Sequence, residues 1–299
     1  MKKIIVIGSC NTDMVIKSER LPVPGETILG GTFLMNPGGK GANQAVAVAR
    51  LGGKVTFITK IGDDLFGKES VNLYLSEGIN TDFTFSDPKN PSGVALITVD
   101  AYGENCIVVA SGANSSLSIE DIESARAEIE TADILLMQLE IPLETVEYAA
   151  KLAHKKGIKI ILNPAPACYL PTSLLHCLYV ITPNKIEAEI LSGVKVRDWE
   201  SAKEAADVIN KKGVDIVVIT LGAQGALVKY EGKYYEVPAV KVDAIDTTAA
   251  GDVFNGALCV GIAEGKGIIE AVEFACKSSA LAVIRLGAQA SIPYRDQVV

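Results

Sequence analysis

ILLMQLEIPLETVEYAAKLAHKKGIKIIL, residues 134–162, carries a strand, a helix and a second strand in one continuous unit. Its two ends are short apolar runs, too brief for buried helices and of the length of covered strands. The middle repeats apolar residues at helical spacing and closes on His154-Lys155-Lys156, where cations suit the negative end of a helix dipole. Strands joined through a helix run parallel. The same alternation recurs on both sides: IIVIG (4–8), VTFITKIG (55–62), YVIT (179–182) and IVVITLG (216–222) lie between helical stretches at 42–51, 66–77, 118–130, 184–191, 199–212, 250–264 and 268–284. This predicts an α/β fold with a mainly parallel sheet covered on both faces, whose ligands sit outside the carboxyl ends of the strands.

One segment breaks the alternation. SGVALITVDAYGENCIVVASG, residues 92–112, reads as a hairpin turning at 100–104. Its first strand, 94–99, is apolar in both phases except for Thr98, so both of its faces need cover. One face can close over a ligand and the other can meet a second subunit. The stretch with Pro22 and Pro24 supplies the remaining strands, and no linker or repeat divides the chain. The expectation is one domain, 1–299, with a lid at about 12–36 and 93–110.

Composition narrows the function. With 28 basic and 36 acidic residues the net charge is -8, and no Lys/Arg cluster is long enough to track a phosphate backbone, which argues against nucleic acid and anionic membranes as partners. Six cysteines without a CxxC pair read as reduced, mostly buried thiols of a cytoplasmic protein. The opening MKKIIVIGSCNTD is too soon interrupted by Asn11 and Asp13 to be a signal peptide. His154 and His176 have no metal-ligand or nucleophile partner at useful spacing, which excludes a zinc site and a Ser-His-Asp hydrolase.

Four motifs carry chemistry. DTTAAGD, residues 246–252, precedes the apolar run VFNGALCVGIA. Small residues at a helix N-terminus leave backbone amides open to an anion, and Asp252 in the first turn stands beside that anion as a candidate base, although a carboxylate there also simply complements the dipole. NPGGKGANQAVAVARLG, residues 36–52, places Gly38, Gly39 and Gly41 where backbone can approach a ligand, with Lys40 and Asn43 suited to hydroxyls; a plain loop-to-helix junction explains it equally well. In TPNKIEAE, residues 182–189, Asn184 and Glu187 form a capping box and can also face a hydrated magnesium ion. TLGAQGA, residues 220–226, is a strand-ending turn of a kind able to approach phosphates. GDDLFGKE, residues 62–69, is not a P-loop, since Glu69 replaces the required hydroxyl and Asp63 and Asp64 repel phosphate. The first strand lacks a dinucleotide fingerprint, which removes a nucleotide-dependent dehydrogenase.

Taken in order, GSCNTD, PGGKGANQAVAVARLG, GDDLFG, SGVALITVDAYGENCIVVASGAN, NPAPA, TPNKIEAE, TLGAQGA, DTTAAGDVFNGAL and GAQASIP resemble the ribokinase branch of the PfkB carbohydrate kinases over essentially the whole chain. Two departures are Val253, where Thr is common, and Cys276, where some members carry His. The resemblance implies a three-layer α/β/α fold with a small β-sheet lid, and ATP-dependent phosphorylation of the 5-hydroxyl of D-ribose. It assigns the sugar to Asn11, Asp13, Gly39, Lys40, Asn43 and Glu140, the base to Asp252, and the anion hole to the amides of Ala249, Ala250, Gly251 and Asp252. It assigns ATP to Asn184, to Thr220, Leu221, Gly222, Ala223, Gln224 and Gly225, and to the region of Cys276, with Glu187 organising Mg2+ through water. A potassium ion, K+, is implied beside Asp246, Thr248, Ala282, Arg285, Gly287 and Ser291. A homodimer formed through the lid is expected. The alternatives are a kinase for deoxyribose, another sugar or a nucleoside, and a catalytically inactive sugar sensor, against which the retained Asp252 argues.

Overall fold

The computed structural model describes residues 2–298. In chain order the elements are β1 (Lys3–Ile7), β2 (Asn11–Lys17), β3 (Thr32–Gly38), α1 (Lys40–Arg50), β4 (Lys54–Gly62), α2 (Leu65–Ser76), β5 (Thr84–Asp87), β6 (Gly93–Val99), β7 (Asn105–Ala110), α3 (Ile119–Ser124) and α4 (Arg126–Ile129). There follow β8 (Ile134–Met137), α5 (Leu143–His154), β9 (Lys159–Leu162), α6 (Thr172–Leu175), β10 (Val180–Ile181), α7 (Lys185–Ser192), α8 (Trp199–Lys211), β11 (Ile216–Thr220), β12 (Gly225–Tyr230), β13 (Lys233–Pro238), α9 (Ala250–Ala263), α10 (Ile268–Val283) and α11 (Ala288–Ser291).

The central sheet has the order β13-β12-β11-β10-β9-β8-β1-β4-β5 and is parallel except where β12 and β13 run antiparallel at one edge. Its strands bury both faces. Ile4 and Val6 of β1 join one core with α1, α9 and α10, while Ile5 and Ile7 join the other with α5 and α8. That period of two is what a strand between two helix layers must show. Because β1 lies between β4 and β8, the chain leaves it in both directions, and the crevice outside its carboxyl end is where a ligand site belongs.

A second sheet, β3-β2-β6-β7, stands apart from the first. Its register puts Asn36, Asp13, Ala95 and Val109 side by side on one face and Met35, Met14, Leu96 and Val108 on the other. The second row is apolar, while the first mixes Asn36 and Asp13 with Ala95 and Val109, so the two-phase apolar pattern belongs to β6 itself.

Three expectations need correction. The stretch 118–130 is two short helices, because Ala125 at φ -94, ψ 4 shifts the hydrogen bonding to a tighter turn. The hairpin β12-β13 has no counterpart in the sequence reading; its turn is closed by Glu231 at φ 48 and Gly232 at φ 73, which leave no Pro or Asn signal. Of the six free thiols only Cys10, Cys259 and Cys276 are buried; Cys168 and Cys177 are half-buried, and Cys106 is exposed because it stands on the edge strand β7. The GDDLFGKE stretch is the expected strand-to-helix turn, with the Asp64 side chain capping α2 through the Gly67 amide. Among the described residues no helix is long and apolar enough to cross a membrane.

Candidate active site

Two glycines bring the reacting groups together. Gly256 is one helical turn beyond Asp252 on α9, and a Cβ there would lie 2.6 Å from the Ala47 Cβ. Its absence lets α9 close on α1, whose first half carries Asn43 and Gln44. Asn43 Nδ2 then donates to Asp252 Oδ2 and Gln44 Nε2 to Asp252 Oδ1, both at 2.9 Å. Gly41 serves the same packing: its Cβ would lie 2.5 Å from the Gly8 carbonyl carbon and the Ser9 nitrogen, so its role is helix against strand, not access for a ligand. Gly39, at φ 88, makes the turn into α1, and Gly38 leaves room for the Asp13 carboxylate.

The turn ahead of α9 is strained. Ala249 adopts the left-handed region at φ 60, where a non-glycine residue is uncommon and strain of this kind collects at functional sites. The Ala250 amide bonds to Thr247 O at 3.2 Å, and the Val253 amide to Ala249 O at 2.9 Å. Among the described residues the intervening amides of Gly251 and Asp252 have no backbone partner, and both residues line a cavity of about 230 Å³. Of the four amides expected to bind an anion, that of Ala250 is taken by Thr247, while among the described residues those of Ala249, Gly251 and Asp252 have no partner.

That cavity is polar, lined also by Lys40, Asn163, Thr182, Asn184, Glu187 and Asn255. It shares Thr220, Thr247, Ala250 and Gly251 with a larger, more apolar cavity of about 540 Å³ bounded by Gly222, Ala223, Gly225, Val240, Val242, Phe254 and Cys276. The two adjoin through these shared residues, a polar compartment opening beside an apolar one. Leu221, in contrast, turns into the core, and Gln224 accepts from Lys185 Nζ at 3.2 Å; neither lines either of these two cavities. The Asn184–Glu187 capping box is formed: the Glu187 amide donates to Asn184 Oδ1, and the Asn184 amide to Glu187 Oε2.

On the small-sheet side, Ser9 Oγ donates to Glu140 Oε2 at 2.6 Å, the Lys40 amide to the same oxygen at 3.0 Å, and Lys40 Nζ lies 3.8 Å from Glu140 Oε1. Asn11 is held by Asn114, whose Nδ2 donates to Asn11 Oδ1 at 2.7 Å and whose Oδ1 accepts from the Cys10 amide. Burial, and then the nearby Glu140, push Asp13 up to about 6. Burial likewise raises Asp252, against the opposing pull of Lys40, Asn43 and Gln44. Desolvation works against the charge of Lys40, yet Asp252, Glu140, Glu187 and Asp13 outweigh it and hold the ammonium above its ordinary range. One cation among four carboxylates is a centre suited to binding hydroxyls at one end and phosphate at the other.

Asp246 Oδ1 accepts from the Thr248 amide and hydroxyl, and its Oδ2 from the Gly287 amide at 2.9 Å, which ties the turn to the loop after α10. Arg285 points its guanidinium at Gln297, Ala282 is buried, and Ser291 Oγ is taken by Ala288 O. Four buried amides at the centre escaped the sequence reading: Gln44, Gln138, Asn163 and Asn255. Their only signal is polarity inside a helix, for Gln44 and Asn255, or just past an apolar strand, for Gln138 and Asn163.

Comparison with known proteins agrees with this geometry. Residues 1–295 match the pfkB family carbohydrate kinase model. A ribokinase of Haemophilus influenzae is 48% identical over 298 residues, covering 100% of this chain and 97% of its own. A deoxyribokinase of Salmonella typhi is 38% identical, covering 98% of this chain and 96% of its own. The structure of Arabidopsis thaliana ribokinase complexed with ribose and ATP is similar at a TM-score of 0.91 and 32% identity, over 99% of this chain and 97% of that one.

Proposed function

The chain belongs to the PfkB family of carbohydrate kinases, and we propose that it transfers the γ-phosphoryl group of ATP to the 5-hydroxyl of D-ribose, giving D-ribose 5-phosphate and ADP. The observation that carries this reading is the pairing of the buried Asp252 carboxylate with two open amides of its own helix N-terminus. A base and an anion site on adjacent atoms are what an alcohol attacking a phosphoryl group requires.

Asn11, Asp13, Gly39, Lys40, Asn43 and Glu140 hold the sugar, with Asp13 accepting from vicinal hydroxyls. Asp252 takes the hydroxyl proton as the oxygen attacks in line, and the amides of Ala249, Gly251 and Asp252 stabilise the transferring group. Ala250 contributes by holding the turn through Thr247. ATP runs from Lys40 and Asn184 along Thr220, Gly222, Ala223 and Gly225 to Cys276, with Leu221 and Gln224 shaping that loop from behind. The small sheet closes as a lid over the sugar and excludes water, which suppresses hydrolysis of ATP.

The metal sites fit their ions by donor chemistry. Magnesium carried by the triphosphate keeps water and phosphate oxygens, so one carboxylate, Glu187, is enough, and when bound it neutralises charge on the phosphates. Among the described residues no three His, Cys, Asp or Glu side chains converge as a metal group, in keeping with such substrate-borne metal. Potassium would take oxygen donors from Asp246 and Thr248 and from the backbone of Ala282, Arg285, Gly287 and Ser291. Two copies pair through their lids, covering the outward row Met35, Met14, Leu96 and Val108. The six free thiols suit a reducing cytoplasm.

The test is coupled ADP release across ribose, deoxyribose, other pentoses, hexoses and nucleosides. Ribose is expected to have the highest kcat/KM. The deoxyribokinase relative makes deoxyribose the second reading, and a preference for it, or ATP turnover unaffected by any sugar, replaces the first.

A further inference from the structure

Gln44 is fully buried on α1, where no substrate can touch it, yet every polar atom of its side chain is engaged. Its two amide hydrogens go to Asp252 Oδ1 at 2.9 Å and Asn163 Oδ1 at 3.1 Å. Its oxygen accepts from Gln138 Nε2 at 2.6 Å. Gln138 follows β8 and is itself fully buried against Gly8, at which a Cβ would lie 2.0 Å from Gln138 Oε1. Reversing the Gln44 amide would turn its oxygen toward two acceptors, Asp252 Oδ1 and Asn163 Oδ1. Its donors are therefore locked onto Asp252.

The lock closes on itself. Asn163 Nδ2 reaches Thr182 O at 3.4 Å, Thr182 Oγ1 donates to Asn255 Oδ1 at 2.6 Å, and Asn255 Nδ2 donates to Gly251 O at 2.8 Å. Gly251 is bonded to Asp252, so the carboxylate and the backbone of the anion turn belong to one ring of buried groups. The two carboxylate oxygens differ. Oδ1 faces the ring, whereas Oδ2 faces Asn43, whose own Oδ1 is buried without a partner.

We propose that Gln44, whose oxygen is held by Gln138, is a positioning residue for the base: it pins Asp252 Oδ1 and leaves Oδ2 as the oxygen that takes the proton. The inference rests on the reading of Asp252 as base. Charged groups facing Asp252 are Lys40 from the start of α1, Glu140 beyond β8, Asp13 from β2 and Glu187 from α7. None of them is altered in the test.

Gln44→Met and Gln138→Met, each a near-isosteric loss of the amide, are assayed with ribose and magnesium-ATP for kcat, both KM values and the pH profile of kcat, with thermal unfolding as the control for folding. Losing a hydrogen bond to a charged group should lower kcat for Gln44→Met about 10- to 100-fold at pH 7 and move the acid limb up by about one to two pH units, because the ionised base has lost a donor. KM values should stay within about threefold. Gln138→Met should shift the limb the same way by less, and decides the matter alone if Gln44→Met does not fold. A folded variant with the parent's kcat and acid limb, or a loss confined to KM, overturns the inference. Asp252→Asn run alongside separates the two ideas: retained turnover there sinks the base itself, whereas an inactive Asp252→Asn beside a fully active Gln44→Met sinks only the role of Gln44.

Discussion

Replacing Asp252 by Asn changes one oxygen for an NH2 in a site where both oxygens accept from amides. The oxygen that remains keeps Gln44, whose own oxygen accepts from Gln138. The new NH2 then faces the NH2 of Asn43, and Asn43 can answer by turning over, since its Oδ1 has no partner to lose. The fold and both ligand sites should survive. The base does not, and its loss costs about 10²- to 10⁴-fold in kcat, equivalent to about 2.7 to 5.4 kcal/mol of barrier at 1.36 kcal/mol per tenfold. Lys40 also loses the first of the carboxylates that raise its pKa, but Glu140, Glu187 and Asp13 remain to pair it. Single-turnover quenched flow measures the phosphoryl-transfer step, and calorimetry measures ribose and ATP binding, each expected within a few fold of the parent. A variant that transfers phosphate within about tenfold of the parent rate, while binding both ligands normally, refutes proton abstraction by Asp252.

Three further outcomes follow from the same geometry. With Asp13 raised to about 6 by burial and then Glu140, the acid is neutral below that pH and ionised above it, so kcat/KM for ribose should fall as pH drops through about 6. Asp13→Asn should remove that limb and weaken sugar binding by about 1 to 3 kcal/mol while ATP binding holds; a flat profile from pH 5 to 7 in the parent counts against the assignment. Turnover should rise when sodium is replaced by potassium at constant ionic strength, because Asp246 lies in the turn that presents the open amides; equal rates remove the cation from the scheme. Leu96→Asp should weaken self-association without unfolding the subunit, since Leu96 faces away from Asp13 and is 56% exposed in the single chain. Light scattering that finds the parent monomeric at micromolar concentration and fully active rejects the dimer.

What the sequence determined by itself is whatever depends on near neighbours. The alternation of residues 134–162 set the βαβ unit and its parallel sense, because both periods are local. DTTAAGD before an apolar run announced a helix N-terminus with a carboxylate in its first turn, and Asp252 is there. TPNKIEAE announced its capping box. The two-phase apolar pattern of residues 94–99 announced a strand needing cover on both faces, and the separate four-stranded sheet contains it.

The tertiary structure alone decided which of these local pieces meet. Gln44 and Asp252 are 208 residues apart, Lys40 and Glu140 are 100 apart, and Cys10 and Asn114 are 104 apart. No periodicity marks such pairs. An amide in mid-helix such as Gln44 or Asn255, or just past a strand such as Gln138 or Asn163, reads as an incidental polar residue until packing brings its partner within 3 Å or so. Gly256 is equally silent: only the approach of α9 to α1 shows that a Cβ at that position would hold the Asp252 carboxylate away from the Asn43 and Gln44 amides. Local chemistry placed the carboxylate at a helix end, and the close packing of two helices gave it its donors and its burial.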